Sequence, residues 1–139
     1  MGPILAAIGV GLAAVALVFA LFYAPGPPRY TLRPESLTIH DRFYPVTVQA
    51  GAVDVGQIRI VDLSSSPEWR PTLRTNGFSN AHYHSGWYRV AGGQEVRLYR
   101  ADGKQLVLLP PKGTGTPVLF EAPEPEGLVA ELRREWNGR

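Results

Sequence analysis

His82 and His84 flank Tyr83. Two imidazoles at i and i+2 on an extended strand point to one side, which is how a shared metal site begins. A closed site needs a third and a fourth ligand, and the chain has no cysteine and three histidines in all. His40, beside Asp41, is distant in sequence and nothing ties it to the pair. The pair therefore reads as hydrogen-bonded surface histidines, with no metal ligands expected. Gly113-Thr114-Gly115-Thr116 has the glycines of a phosphate cradle but lacks the Lys-Ser/Thr that should follow. It also falls between two strand-like runs, so it reads as a hairpin tip. Glu121, Glu124 and Glu126 crowd a helix start, where carboxylates stabilise the positive end of the dipole without doing chemistry. There is no nucleophile elbow, no cysteine nucleophile and no Walker loop. No catalytic residue and no cofactor is expected.

The segment Ser64 to Gly86 is more informative. It is long for a structureless connection in a small domain, and such loops often carry function. Within it or just beyond lie Trp69, Arg70, Arg74, Phe78, Tyr83 and Trp87. Aromatic residues beside arginine are what protein-binding patches use, so these six are the candidate partner contacts. The competing reading is structural: Trp69 and Trp87 plug a barrel and the loop packs over its mouth.

These residues must be held somewhere, and the first 28 residues say where. They carry no charged side chain, and the run from Pro3 to Tyr23 is apolar. At about 1.5 Å per residue, roughly 20 apolar residues cross a hydrocarbon core of about 30 Å. A secretory signal would have a positive n-region, a shorter apolar stretch and a small-x-small cleavage site. Here Phe22 occupies the small-residue position before Ala24, and Pro25 would follow the cut. Residues 1–24 are therefore expected to be a retained transmembrane anchor. Phe19, Phe22 and Tyr23 gather at its end, where aromatic side chains suit the headgroup boundary. Arg29, Arg33 and Arg42 follow it and no Lys or Arg precedes it, which puts the C-terminal part in the cytoplasm. The same three arginines are placed for weak contact with anionic lipid. Ala7/Gly11 and Gly9/Ala13 form small-xxx-small pairs that permit close helix packing, though Ala/Gly-rich helices carry such pairs by chance.

Residues 25–29 form a proline-rich spacer, and residues 30–136 are long enough for one domain. All charged side chains lie beyond the anchor and sum to +2, with arginines scattered among acids. That distribution lacks the clustered basic face of a nucleic-acid binder, so no nucleic acid is expected. Period-two patterns run through residues 30–32, 36–40, 44–49, 58–63, 87–90, 95–99, 105–109 and 118–121. Gly92-Gly93 and Asp102-Gly103 read as hairpin turns. About seven short strands at this spacing predict a small antiparallel barrel or sandwich. The pattern then changes to helix over residues 124–136. Pro125 opens it, Arg133 and Arg134 lie near its end, and Leu128, Leu132 and Trp136 share one face that caps the barrel.

The segments YTLRPESLTIHDRFYPVTV, IRIVDL, the RTNGF turn, GWYRV, QEVRLYRADGK and EGLVAELRREW together resemble the bacterial pleckstrin-homology-like domains that occur beside transmembrane segments. The resemblance spans Tyr30 to Trp136 and lies in strand order and in aromatic and glycine placement. It implies a small β barrel of about seven strands with one C-terminal helix. It also implies binding without catalysis, of lipid headgroups or peptides. In phosphoinositide-binding members the first long hairpin carries several bases. Here that hairpin is HDRFYPV, whose one base is Arg42, which argues against a multiply charged headgroup. The expected protein is a single-pass, non-enzymatic interaction or scaffold module at the membrane surface, with a protein partner. The alternative is a ligand-binding module for a lipid headgroup or small molecule.

Overall fold

A computed structural model describes residues 3–137. Helix α1 covers Pro3–Phe22, and α2 covers Pro125–Trp136. Between them run β1 (Arg29–Leu32), β2 (Ser36–His40), β3 (Val46–Gln49), β4 (Arg59–Asp62), β5 (Pro71–Ser79), β6 (His84–Val90), β7 (Glu95–Arg100), β8 (Gln105–Leu109) and β9 (Val118–Phe120). Single 3-10 turns at Ala50–Ala52, Val55–Gln57 and Pro67–Trp69 punctuate the strands. The chain is thus mainly β, with an apolar N-terminal helix and a C-terminal helix.

The strands form two sheets that do not close into a barrel. One holds β1-β2-β3 in sequence order, and the other runs β4-β8-β9-β7-β6-β5. Three expectations are corrected here. Among the described residues there are nine strands, not about seven. The sheets are not wholly antiparallel, because β7 pairs with β9 in parallel. Finally, Asp102-Gly103 does not make a hairpin: β9 inserts between β7 and β8 and pairs with both. A turn signal fixes the local reversal but not which strand arrives at the vacant edge. The Gly92-Gly93 turn does join paired strands, β6 and β7. The glycine-rich segment at Gly113 does link the paired strands β8 and β9.

The segment Ser64 to Gly86 is mostly strand rather than loop. Its centre is β5, the edge of the larger sheet, paired to β6 with two register shifts. Those bulges, with Pro71 and Gly77, erase the period-two signature that would announce a strand. RTNGF is accordingly no turn: Gly77 lies inside β5, directly opposite Gly86. Gly86 has φ +111°, and a Cβ there would lie 2.7 Å from the Asn76 carbonyl oxygen. Glycine at this position lets β5 and β6 approach closely.

Burial on both faces of the larger sheet explains the near-continuous apolar runs of β8 and β9. Val107, Leu109, Val118, Phe120 and Tyr99 join the β1–β3 sheet and α2 in one core. Their neighbours Leu106, Leu108, Leu119, Val96 and Leu98 join Val61, Leu63, Tyr88 and Val90 in a second, against which Trp69 packs. Helix α2 presents Leu128, Val129, Leu132 and Trp136 to the first core. It lies against β4, β8 and the Val55–Gln57 turn. It covers a sheet face, not the end of a barrel. Trp136 Nε1 donates to the Arg33 carbonyl at 3.2 Å, so the helix also braces the β1–β2 turn.

Candidate functional site

Helix α1 stands exposed along its length, with Ile4 at 74% and Val10 at 71%. It meets the β domain at its C-terminal end, where a collar of aromatic and polar residues receives it. Tyr23 is the centre of this collar. Its ring meets Phe19 at 5.0 Å, Phe43 at 5.5 Å, Phe78 at 5.6 Å and Tyr83 at 5.8 Å between centroids. Phe43 and Phe78 stack at 4.7 Å. Most of these pairs are edge-to-face, the geometry the ring quadrupole favours. The Arg42 guanidinium lies over Phe19, 5.2 Å from the ring centroid.

Two short polar side chains hold the collar's backbone. Asn80 Nδ2 donates to the carbonyls of Ala20 and Tyr23, each at 2.9 Å, and so caps the last turn of α1 from outside the helix. Its Oδ1 accepts from the amides of His82 at 2.7 Å and Tyr83 at 2.8 Å, an Asx turn between β5 and β6. Asp41 does the same one layer away. Its Oδ2 accepts from the amides of Phe43 and Tyr44 at 3.1 and 2.8 Å, while Oδ1 accepts the Tyr83 hydroxyl at 2.6 Å. A buried carboxylate with three donors is compensated, as burial of charge requires.

Three tyrosines brace the same region. The Tyr99 hydroxyl donates to the Tyr44 carbonyl at 2.5 Å, and the Tyr88 hydroxyl donates to the Phe78 carbonyl. Burial pushes the Tyr99 phenol up to about 12 and raises that of Tyr88. The Tyr83 phenol is pushed far above its ordinary range, by burial first and then by its bond to Asp41 and that carboxylate's charge. All three remain protonated donors at physiological pH.

The six candidate contacts are not one exposed patch. Tyr83 is 1% exposed and belongs to the collar, as does half-buried Phe78. Trp69 packs against the second core, and Arg70 Nε donates to the Leu63 carbonyl at 2.7 Å. Trp87 lies further along β6, half-buried, paired with Asn76 and with the Arg97 guanidinium 4.8 Å from its ring. Arg74 is exposed on β5 beside Leu73, itself 54% exposed. Nor do the three flanking arginines stay together. Arg29 and Arg42 line one notch by Tyr23. Arg33 sits beyond the far end of β1, roughly 13 Å from Arg29 at about 3.3 Å per residue.

His82 and His84 do not share a side either, because β6 begins at His84 and His82 is an exposed turn residue. His84 is half-buried, its Nδ1 2.6 Å from the Ser79 hydroxyl, and burial lowers its pKa, with Arg100 adding to the effect. Among the described residues no three His, Asp or Glu side chains gather as a metal site would need. Glu121 is buried and accepts from the Gly103 amide. The Gly113 segment forms one wall of an open cleft of about 540 Å³, opposite Trp69 and Arg59.

Sequence reasoning missed Asn80 and Phe43. Asn80 carried a signal, since Asn two and three residues before ordered amides is the Asx-turn pattern. Its reach to α1 had none, being a contact across 57 and 60 residues. No family model, no curated protein and no solved structure matches the chain.

Proposed function

We propose that this protein is a single-pass, membrane-anchored interaction or scaffold module without enzymatic activity, its β domain held at the cytoplasmic face of the cell membrane. The observation that carries the reading is the collar. Helix α1 is long and apolar enough to cross a bilayer and keeps its length clear of the rest of the chain. Its last turn alone is fastened, by Asn80 and by the rings around Tyr23. A signal sequence also passes the length and composition test. Cleavage after Ala24, however, would pull Tyr23 from among Phe43, Phe78 and Tyr83 and leave those apolar rings facing water. Retention of the helix agrees with that packing. Asp41, Asn80 and Tyr83 are committed to structural hydrogen bonds, which suits a fastening better than a reacting centre.

Such a fastening presents the domain in a defined attitude to the bilayer. The surface it offers to a protein partner is the edge strand β5, with Thr72, Leu73, Arg74, Thr75 and Asn76 exposed. The domain is a divergent pleckstrin-homology-like module, a reading supported by its mainly β build and C-terminal helix. Alkaline extraction of membranes, with the intact mass of the chain, tests the anchor: an integral protein of full mass is expected. A photo-crosslinker at Asn76 tests the partner surface against one at Glu135 on α2. A discrete adduct from Asn76 alone is expected, and adducts from Glu135 alone would move the surface elsewhere.

A further inference from the structure

Beside the collar is a notch of about 380 Å³, walled by the proline spacer and by Tyr23, Arg29, His40, Asp41 and Arg42. Its volume falls within the roughly 300–1,000 Å³ of small-ligand clefts. Its charge is asymmetric. Asp41 brings one carboxylate, whose oxygens are already taken by Tyr83 and by the amides of Phe43 and Tyr44. Arg29 and Arg42 bring two guanidiniums, and among the described residues no hydrogen bond or ion pair engages either one. The His40 ring lies at the rim, tied to Thr31 by a 2.7 Å hydrogen bond.

The height of the notch along α1 identifies its ligand. The apolar span Ile4–Phe22 has 19 residues, which at about 1.5 Å each nearly matches a hydrocarbon core of about 30 Å. Tyr23, Pro25, Pro27, Pro28 and Arg29 come directly after it and therefore occupy the headgroup layer. Arg42 is held at the same level from the domain side, by stacking on Phe19 one helical turn before Tyr23. Two arginines at this depth, flanking a proline-walled recess, meet the layer where lipid phosphates lie. A guanidinium suits a phosphate oxygen pair because its donors form a planar fork.

Resting on the reading of α1 as a retained anchor, we propose that this notch holds the phosphate of an anionic membrane phospholipid between Arg29 and Arg42. The lipid would wedge beside the proline spacer and lock the domain's attitude. One phosphodiester charge matches the notch, since two guanidiniums stand against the single carboxylate of Asp41. Arg33 takes no part, because it lies at the far end of the β1–β2 hairpin.

The test uses the full chain in nanodiscs of phosphatidylcholine mixed with an equal share of phosphatidylglycerol. Native mass spectrometry of the released protein counts the lipids retained. A preference for phosphatidylglycerol of up to about thirtyfold is expected, the scale of two bases at an anionic surface. Arg29→Gln with Arg42→Gln should abolish it, Arg42→Lys should keep part of it, and Arg33→Gln should leave it unchanged. A full-length, inserted chain that retains both lipids equally overturns the proposal. So does an equal loss from Arg33→Gln, which would indicate a diffuse surface field. A thermal shift in phosphatidylcholine nanodiscs, produced by inorganic phosphate and lost in the double variant, would make the ligand a soluble phosphate and overturn the lipid source. A chain that arrives shortened and does not enter nanodiscs would overturn the anchor reading, and the lipid site with it. The unfolding temperature of the double variant in phosphatidylcholine, expected to fall by only a few degrees through the lost Arg42–Phe19 contact, separates lost binding from lost fold.

Discussion

Asn80 spends all its hydrogen-bonding capacity at one junction: two donors on α1, one acceptor shared by the turn after β5. Asn80→Ala should cost about 1–2 kcal/mol, the scale of a lost helix cap. Asn80→Asp should separate the two jobs. It keeps the acceptor for the His82 and Tyr83 amides and loses the donors to Ala20 and Tyr23. Amide exchange at residues 82–83 should stay slow in Asp and quicken in Ala, while spin-label distances between α1 and α2 broaden in both. Tyr83→Phe leaves a buried Asp41 oxygen without its donor and should cost about 1–3 kcal/mol in chemical unfolding of the full chain. His84 gives a pH signature. Its folded pKa lies below the unfolded value near 6.5, so the unfolded state binds more protons as pH falls. Stability should therefore be full above that value and decline as pH drops through it. His84→Gln should flatten this decline between about pH 7.5 and 5.5, as melting temperatures across that range, one unit either side of the ordinary imidazole value, would report.

At the scale of elements, β5 and α2 illustrate opposite degrees of legibility. The helix was readable because Leu128, Leu132 and Trp136 recur on one face behind Pro125, and that face is indeed buried. Leu132 is fully enclosed, so Leu132→Ala should destabilise the domain by about 2–5 kcal/mol in denaturant titrations. Strand β5 was not readable, because its bulges break the alternation on which strand recognition depends. Its pairing rests instead on Gly86. Gly86→Ala places a side chain at positive φ and against the Asn76 carbonyl, and should cost about 1–3 kcal/mol. Gly93 also has positive φ, but a methyl group there would meet nothing within 4 Å, so Gly93→Ala should cost less. A comparison of the two melting temperatures checks that order.

For the whole molecule, the decisive relation is between the apolar helix and the domain it carries. The proposed cytoplasmic orientation rests on Arg29, Arg33 and Arg42 after the span against no Lys or Arg among the residues before it. A phosphatase active only after export, fused to the C-terminus, should therefore stay inactive in whole cells. Strong activity would reverse the orientation and leave the anchor intact. By itself the sequence determined the apolar helix, the period-two strands, the Gly92-Gly93 hairpin and the C-terminal helix. Each is written in neighbours a few residues apart, and local sterics and hydrophobic periodicity suffice to read it. Tertiary structure alone decided that β9 would enter between β7 and β8, that Phe78 and Tyr83 would receive Tyr23, and that Arg42 would join Arg29 and leave Arg33 behind. Those outcomes depend on which distant surfaces bury one another best, and nothing in the spacing of residues along a chain encodes the distance between them once it is folded.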